Sequence, residues 1–209
     1  KKKDKPDLNE QVEAEMQKDS AQKGPGSALI KLENKVFSIP SPIQLSYLVK
    51  DLNVAYNEEY LNPVSNHVNY QTSFRKAVNL GIYGANLGYV NIYEQYAKAA
   101  KYVAVVRNLS NQLGITNSFD KETIDRIEKN STNKDSLVHI LSRVYRDADA
   151  YLMNNERKDI AIFVLAGGWI ESLYFITQTA RDKPHPDLMQ RIAEQKYPLQ
   201  NLLDLLRPY

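Results

Sequence analysis

Hydrophobic residues recur along this chain at the three-and-four spacing of helix faces, and no strand-like alternation persists. Phe74, Ala77, Val78, Gly81, Ile82, Ala85, Tyr89 and Ile92 follow that spacing and predict a helix over about 72–93. A break near residues 94–96 leads into a second helix over 97–113, striped by Ala99, Tyr102, Val103, Val106, Leu109 and Leu113, with Gly114 as its C-cap. A shorter charged helix is expected over 120–129. Leu137, Ile140, Leu141, Val144, Tyr145, Ala148, Tyr151 and Leu152 then mark an amphipathic outer helix over 135–153. Residues 157–179 differ, because 160–176 is apolar almost all the way round, the pattern of a helix surrounded by others. Pro184 and Pro186 stop it, and the last two helices are expected over 187–196 and 199–206.

Upstream, Ile39-Pro40-Ser41-Pro42 marks the end of an extended arm over 27–39, since each proline forces its predecessor out of the α region. Ser41 is then an N-cap with Pro42 at the first helical position of a short helix carrying Ile43, Leu45, Leu48, Val49 and Leu52. The Asn-rich stretch 57–70, with Asn62-Pro63 inside it, reads as a short helical turn and a long loop. The predicted fold class is therefore all-α: an antiparallel multi-helix bundle around a central helix at about 157–179, preceded by the arm. One domain is expected over 27–209. A flexible tether is expected over 1–26, where charged residues run up to the breaker Gly24-Pro25-Gly26. Leu87-Gly88 followed by Ala100 resembles part of a tetratricopeptide unit, but its Trp and closing Pro are missing and no 34-residue recurrence follows.

Composition narrows the chemistry. Of 209 residues, 43% are hydrophobic and 25% charged, enough for a folded core without disulfides or metals. The formal charge of +2 is too near balance for an electrostatic search for nucleic acid, so no nucleic-acid partner is expected. Zero cysteines exclude thiolate chemistry in these residues. No uninterrupted apolar run reaches the roughly 18 residues of a membrane span, so a soluble chain is expected. His67, His139 and His185 lack HxxxH or HExxH spacing, and the oxygen-rich stretch 120–133 lacks the DxDxDG pattern, so neither a metal site nor a cofactor is expected. Asn108-Leu109-Ser110 and Asn130-Ser131-Thr132 match glycosylation sequons at chance frequency and support no claim.

Three features call for explanation. Gly81, Gly84 and Gly88 lie in one predicted helix, and Gly167 and Gly168 in the central one. Each mid-helix glycine costs about 1 kcal/mol relative to alanine, which close approach of two helix backbones offsets. The two helices are expected to cross at these glycines. Glu171 sits in the apolar central helix beside Trp169, and its neighbours at three and four residues are Gly167, Gly168, Tyr174 and Phe175, none cationic. If buried, it needs partners brought from elsewhere or a raised pKa. Arg75, Asn79, Tyr83 and Asn86 of the helix over 72–93 are the expected partners, in a buried polar cluster or ligand site with Glu171 and Trp169. Because one carboxylate without a visible second acid or histidine is not a mechanism, no catalytic residue is assigned. Fourteen Tyr against five Phe, with Tyr83, Tyr89, Tyr93, Tyr96 and Tyr102 crowding two helices, point either to half-buried packing or to a pocket for an amphipathic ligand.

The strings Ile39-Pro40-Ser41-Pro42, Ala77-Val78-Asn79-Leu80-Gly81-Ile82-Tyr83-Gly84-Ala85-Asn86-Leu87 and Ala166-Gly167-Gly168-Trp169-Ile170-Glu171 resemble those of uncharacterised, exported, all-helical proteins of Gram-negative bacteria, typically made as lipoproteins. The resemblance spans Phe37 onward and implies a cell-envelope location, on the periplasmic side or at the outer membrane. It further implies that the signal peptide is removed and that 1–26 is the spacer after an upstream lipid anchor, the sole membrane attachment expected. The resemblance implies no activity. The resulting expectation is an envelope-facing binding or structural module. Its rivals are a hydrolase-like enzyme using Glu171 in a Tyr- and Trp-lined pocket, a sensor domain of a longer chain whose C-terminal leucines await cover, and a cytoplasmic location.

Overall fold

The computed structural model describes residues 28–32, 35–39, 42–115 and 157–209. The predicted tether over 1–26 and the predicted helices over 120–129 and 135–153 lie outside them. Among the described residues the fold is an all-α bundle of six helices: α1 (Pro42–Asp51), α2 (Ser73–Ile92), α3 (Tyr96–Gln112), α4 (Lys158–Asp182), α5 (Pro186–Glu194) and α6 (Lys196–Leu206). A hairpin precedes them. Its strands β1 (Ala28–Leu32) and β2 (Lys35–Ile39) run antiparallel, with Ala28 opposite Ile39 and Leu32 opposite Lys35. The expected arm is thus extended as predicted but paired with itself, and β2 lies beside α6. Pairing escapes a one-dimensional reading, because loose alternation shows an extended backbone but not which strand will satisfy its amides.

Helix ends follow local chemistry. Thr72 caps α2 by accepting the Arg75 amide, and Pro186 opens α5 behind His185, whose ring nitrogen accepts the Asp187 amide. The break after α2 is a left-handed turn at Glu94 (φ 59°), where the Gln95 amide returns to the Val90 carbonyl at 2.8 Å. Lys50 of α1 donates to the Ile92 carbonyl at 2.6 Å, satisfying another orphan of that helix end. Gly114 ends α3 at φ 72°, as its position in the sequence predicts.

Helix α4 touches α1, α2, α5 and α6, so the apolar helix is the central one. By length and composition it would also pass as a membrane span, yet 56% of its apolar window is buried inside the protein. Its covered sides take different partners. Ile160, Ala161 and Phe175 join the large core with α2 and α3. Ile162, Ala166 and Trp169 pack on Leu202 and Leu205 of α6, while Ile176 and Ala180 pack on Val49 of α1 and Leu188 of α5. The C-terminal leucines therefore dock on the body through Leu202 and Leu205, leaving Leu203 exposed. Among the described residues, Ile170 and Tyr174, one turn apart on α4, form an open apolar strip, 50% and 40% exposed.

The α2–α3 pair is an antiparallel hairpin, as a short connection requires. Helices α2 and α4 run in the same direction instead: Phe74 meets Phe163, Asn86 meets Glu171 and Tyr89 meets Phe175, all in rising order. Two further helices are expected from the sequence between α3 and α4, so an up-and-down order already returns α4 to the direction of α2. Arg157 ties the start of α4 to the end of α3 by donating to the Leu113 carbonyl at 2.6 Å.

Candidate functional site

Helices α2 and α4 cross where the glycines are. A β-carbon on Gly81 would fall 1.9 Å from the Val164 carbonyl oxygen and 2.6 Å from the Gly168 nitrogen. One on Gly167 would fall 1.9 Å from the Val78 carbonyl oxygen. Both obstacles are backbone, which cannot rotate aside, so the crossing exists only with hydrogen at both positions. Gly84 and Gly88 are buried further along α2. The close approach has a second consequence: one turn beyond, it brings Asn86 of α2 and Glu171 of α4 within hydrogen-bond reach.

Glu171 is 9% exposed, and its Oε1 accepts from Asn86 Nδ2 at 2.6 Å. Burial pushes its carboxyl up from 4.5 to about 7, against the smaller opposing pull of the Asn86 hydrogen bond. Asn86 is itself fully buried and its orientation is dictated by its partners. Its Oδ1 accepts the Asn62 amide at 2.8 Å, so its nitrogen must face inward, where it donates both to Glu171 and to the Ile82 carbonyl at 2.7 Å.

Beyond Asn86 lies the Asn-rich segment 53–71, shaped by short 3-10 turns at Glu58–Tyr60 and Val64–Asn69. Such irregular backbone has few partners of its own and must find them elsewhere. The tyrosines provide them. Tyr83 donates to the Pro63 carbonyl at 2.8 Å, Tyr102 to the Asn62 carbonyl at 3.0 Å, and Tyr93 to the Val54 carbonyl at 2.7 Å. Tyr89 accepts the Asn57 amide at 3.0 Å, and Tyr60 reaches Asp182 of α4 at 2.5 Å. Within the segment, Asn62 donates to the Tyr70 hydroxyl at 3.1 Å and accepts from Asn66 at 2.9 Å. Burial raises the pKa of Tyr83, Tyr93 and Tyr102, and pushes Tyr89 up to about 12, so these phenols remain proton donors at neutral pH. Their rings contact one another, as in Tyr83–Tyr102 at 6.0 Å and Tyr56–Tyr89 at 5.6 Å. For Tyr83, Tyr89, Tyr93 and Tyr102 the choice of Tyr has a structural cause: the ring fills core while its hydroxyl holds loop backbone, which phenylalanine cannot do.

Of the expected cluster, the structure brings together Glu171, Asn86 and Tyr83, whose phenol senses the Glu171 charge. It does not bring in Arg75, which is exposed near the start of α2, nor Asn79, which hydrogen-bonds back to the Arg75 carbonyl. Arg75 precedes the crossing and Asn79 sits within it, both about two turns or more before Asn86, the residue that reaches the carboxylate. Trp169 is also elsewhere: its Nε1 donates to Gln195 at 3.0 Å amid the contacts to α6. Residues two apart on a helix diverge by about 200°, so Trp169 and Glu171 face opposite sides of α4. Asn62 is the member that inspection of the sequence misses, and Tyr102 is read there only as one of the tyrosines crowding two helices, although the density of asparagine before α2 marks a loop rich in donors and acceptors. His67 bonds the Val64 carbonyl and His185 caps α5, while His139 lies outside the described residues.

No protein-family model, curated protein or solved structure matches the chain.

Proposed function

We propose that this chain is a helical interaction module of the cell envelope, binding a partner rather than turning over a substrate. One observation carries the reading: the groups a catalytic pocket would need are turned to internal partners, Glu171 to Asn86, Tyr83 to Pro63 and Trp169 to Gln195. A carboxylate in such a setting fixes how two helices register, which is the best attested use of a buried polar contact. The envelope location rests on the resemblance of Phe37 onward to exported helical proteins. The open strip of Ile170 and Tyr174 on α4 is the surface that such a module offers to a partner.

Photo-crosslinking of the full chain in Gram-negative cells tests this. A photoreactive residue at Ile170 or Tyr174 is expected to trap a discrete envelope partner, and one at the buried Phe175 to trap none. Fractionation of the chain with cytoplasm would defeat the location. Turnover of any small molecule that disappears in a folded Glu171→Gln variant would defeat the non-enzymatic reading.

A further inference from the structure

The side chain that meets Glu171 also holds the loop. Asn86 carries Glu171 on its amide nitrogen and the Asn62 backbone on its amide oxygen. Tyr83 and Tyr102, whose phenols sense the Glu171 charge, donate to the adjacent carbonyls of Pro63 and Asn62. A single dipeptide of the loop is therefore held by Asn86, which also carries the buried carboxyl, and by two phenols that feel that carboxyl's charge. Among the described residues no cation answers that carboxyl. Asn86 of α2 is its hydrogen-bond partner, its charge is felt by Tyr83 of α2 and Tyr102 of α3, and α1, α5 and α6 contribute no charge to its balance. Glu58, an acid of the loop, acts on Tyr102.

We propose that Glu171 and Asn86 form a proton-linked latch, in which loss of the Glu171 proton loosens residues 57–70 from the bundle and its return refastens them. A carboxylate without a cation in a dry interior draws water, and water reaches it by displacing Asn86, its hydrogen-bond partner. Displacing Asn86 frees the Asn62 amide that its oxygen holds. Protonated Glu171 has no such demand, and its Oε1 still accepts from Asn86.

Hydrogen exchange of the full chain, corrected for intrinsic rates, reads this directly at pH 6 and pH 8. If opening returns Glu171 to its ordinary 4.5 from about 7, linkage makes opening of 57–70, relative to the α2 and α4 cores, rise by about tenfold between those pH values. Glu171→Gln, which mimics the protonated form and cannot ionise, is expected to abolish the rise and keep the segment protected. Equal protection at both pH values in the wild type, or an undiminished rise in Glu171→Gln, would overturn the latch. A readout free of variants is the NMR titration of the wild type. The Asn62 amide shift is expected to follow the Glu171 carboxyl with one midpoint, and an Asn62 amide indifferent to that titration would also overturn it.

Discussion

Gly81 and Gly167 are reciprocal partners: a β-carbon on either would collide with the carbonyl oxygen of the residue three positions before the other, Val164 or Val78. Two parallel helices thus meet backbone to backbone, and the polar contact one turn further on depends on that meeting.

Alanine at either glycine is therefore expected to force the helices apart. A backbone collision at 1.9 Å cannot be relieved by a rotamer change, so Gly81→Ala and Gly167→Ala should each lower stability by about 3 kcal/mol or more. The double variant should cost less than the sum, because one separation relieves both clashes. Urea denaturation checks both numbers, and a loss below about 1 kcal/mol would contradict the crossing.

Glu171 gives stability a definite pH dependence. Its folded pKa of about 7 lies above the 4.5 of an exposed glutamate, so the folded state holds the proton more tightly. Its contribution is fully present below about pH 4.5 and is lost as pH rises through about 7. The whole effect is about 3 kcal/mol at most. Denaturation at pH 5 and pH 8 should show the wild type losing stability relative to Glu171→Gln over that interval.

Removing one tyrosine hydroxyl should orphan a loop carbonyl. Tyr102→Phe and Tyr83→Phe are each expected to cost about 1 to 2 kcal/mol while leaving the helices intact. Circular dichroism should be unchanged. Limited proteolysis should cut within residues 57–70 sooner than in the wild type.

Trp169 is the single tryptophan and is 4% exposed, so its fluorescence should be blue-shifted and poorly quenched by iodide. Trp169→Phe removes ring volume from the contact with α6 and leaves Gln195 Oε1 without its donor. A loss of about 1 to 3 kcal/mol is expected in thermal or urea denaturation. The pH dependence tied to Glu171 should persist in that variant, since the two side chains occupy opposite faces of α4.

Much of this molecule is legible in one dimension. Helical periodicity placed α2 and α3 within a residue or two, Gly114 announced the end of α3, and the uniformly apolar stretch from Ile160 onward marked the central helix. These are local properties, set by side-chain spacing, cap chemistry and backbone freedom within a few residues. The glycines also forecast a close crossing, because their cost inside a helix needs a remedy that only proximity provides.

What tertiary structure alone decided is which surfaces meet and in what order. Helices α2 and α4 are packed neighbours, and neither helix's own pattern says which of the others it will lie against. That packing put Asn86, and not Arg75 or Asn79, opposite Glu171. It also set the tyrosine hydroxyls against the loop, where backbone groups without a ladder needed them. Strand pairing in the hairpin and the docking of Leu202 and Leu205 are of the same kind. A residue's type says what partner it requires, but the distance to that partner is a property of the folded chain.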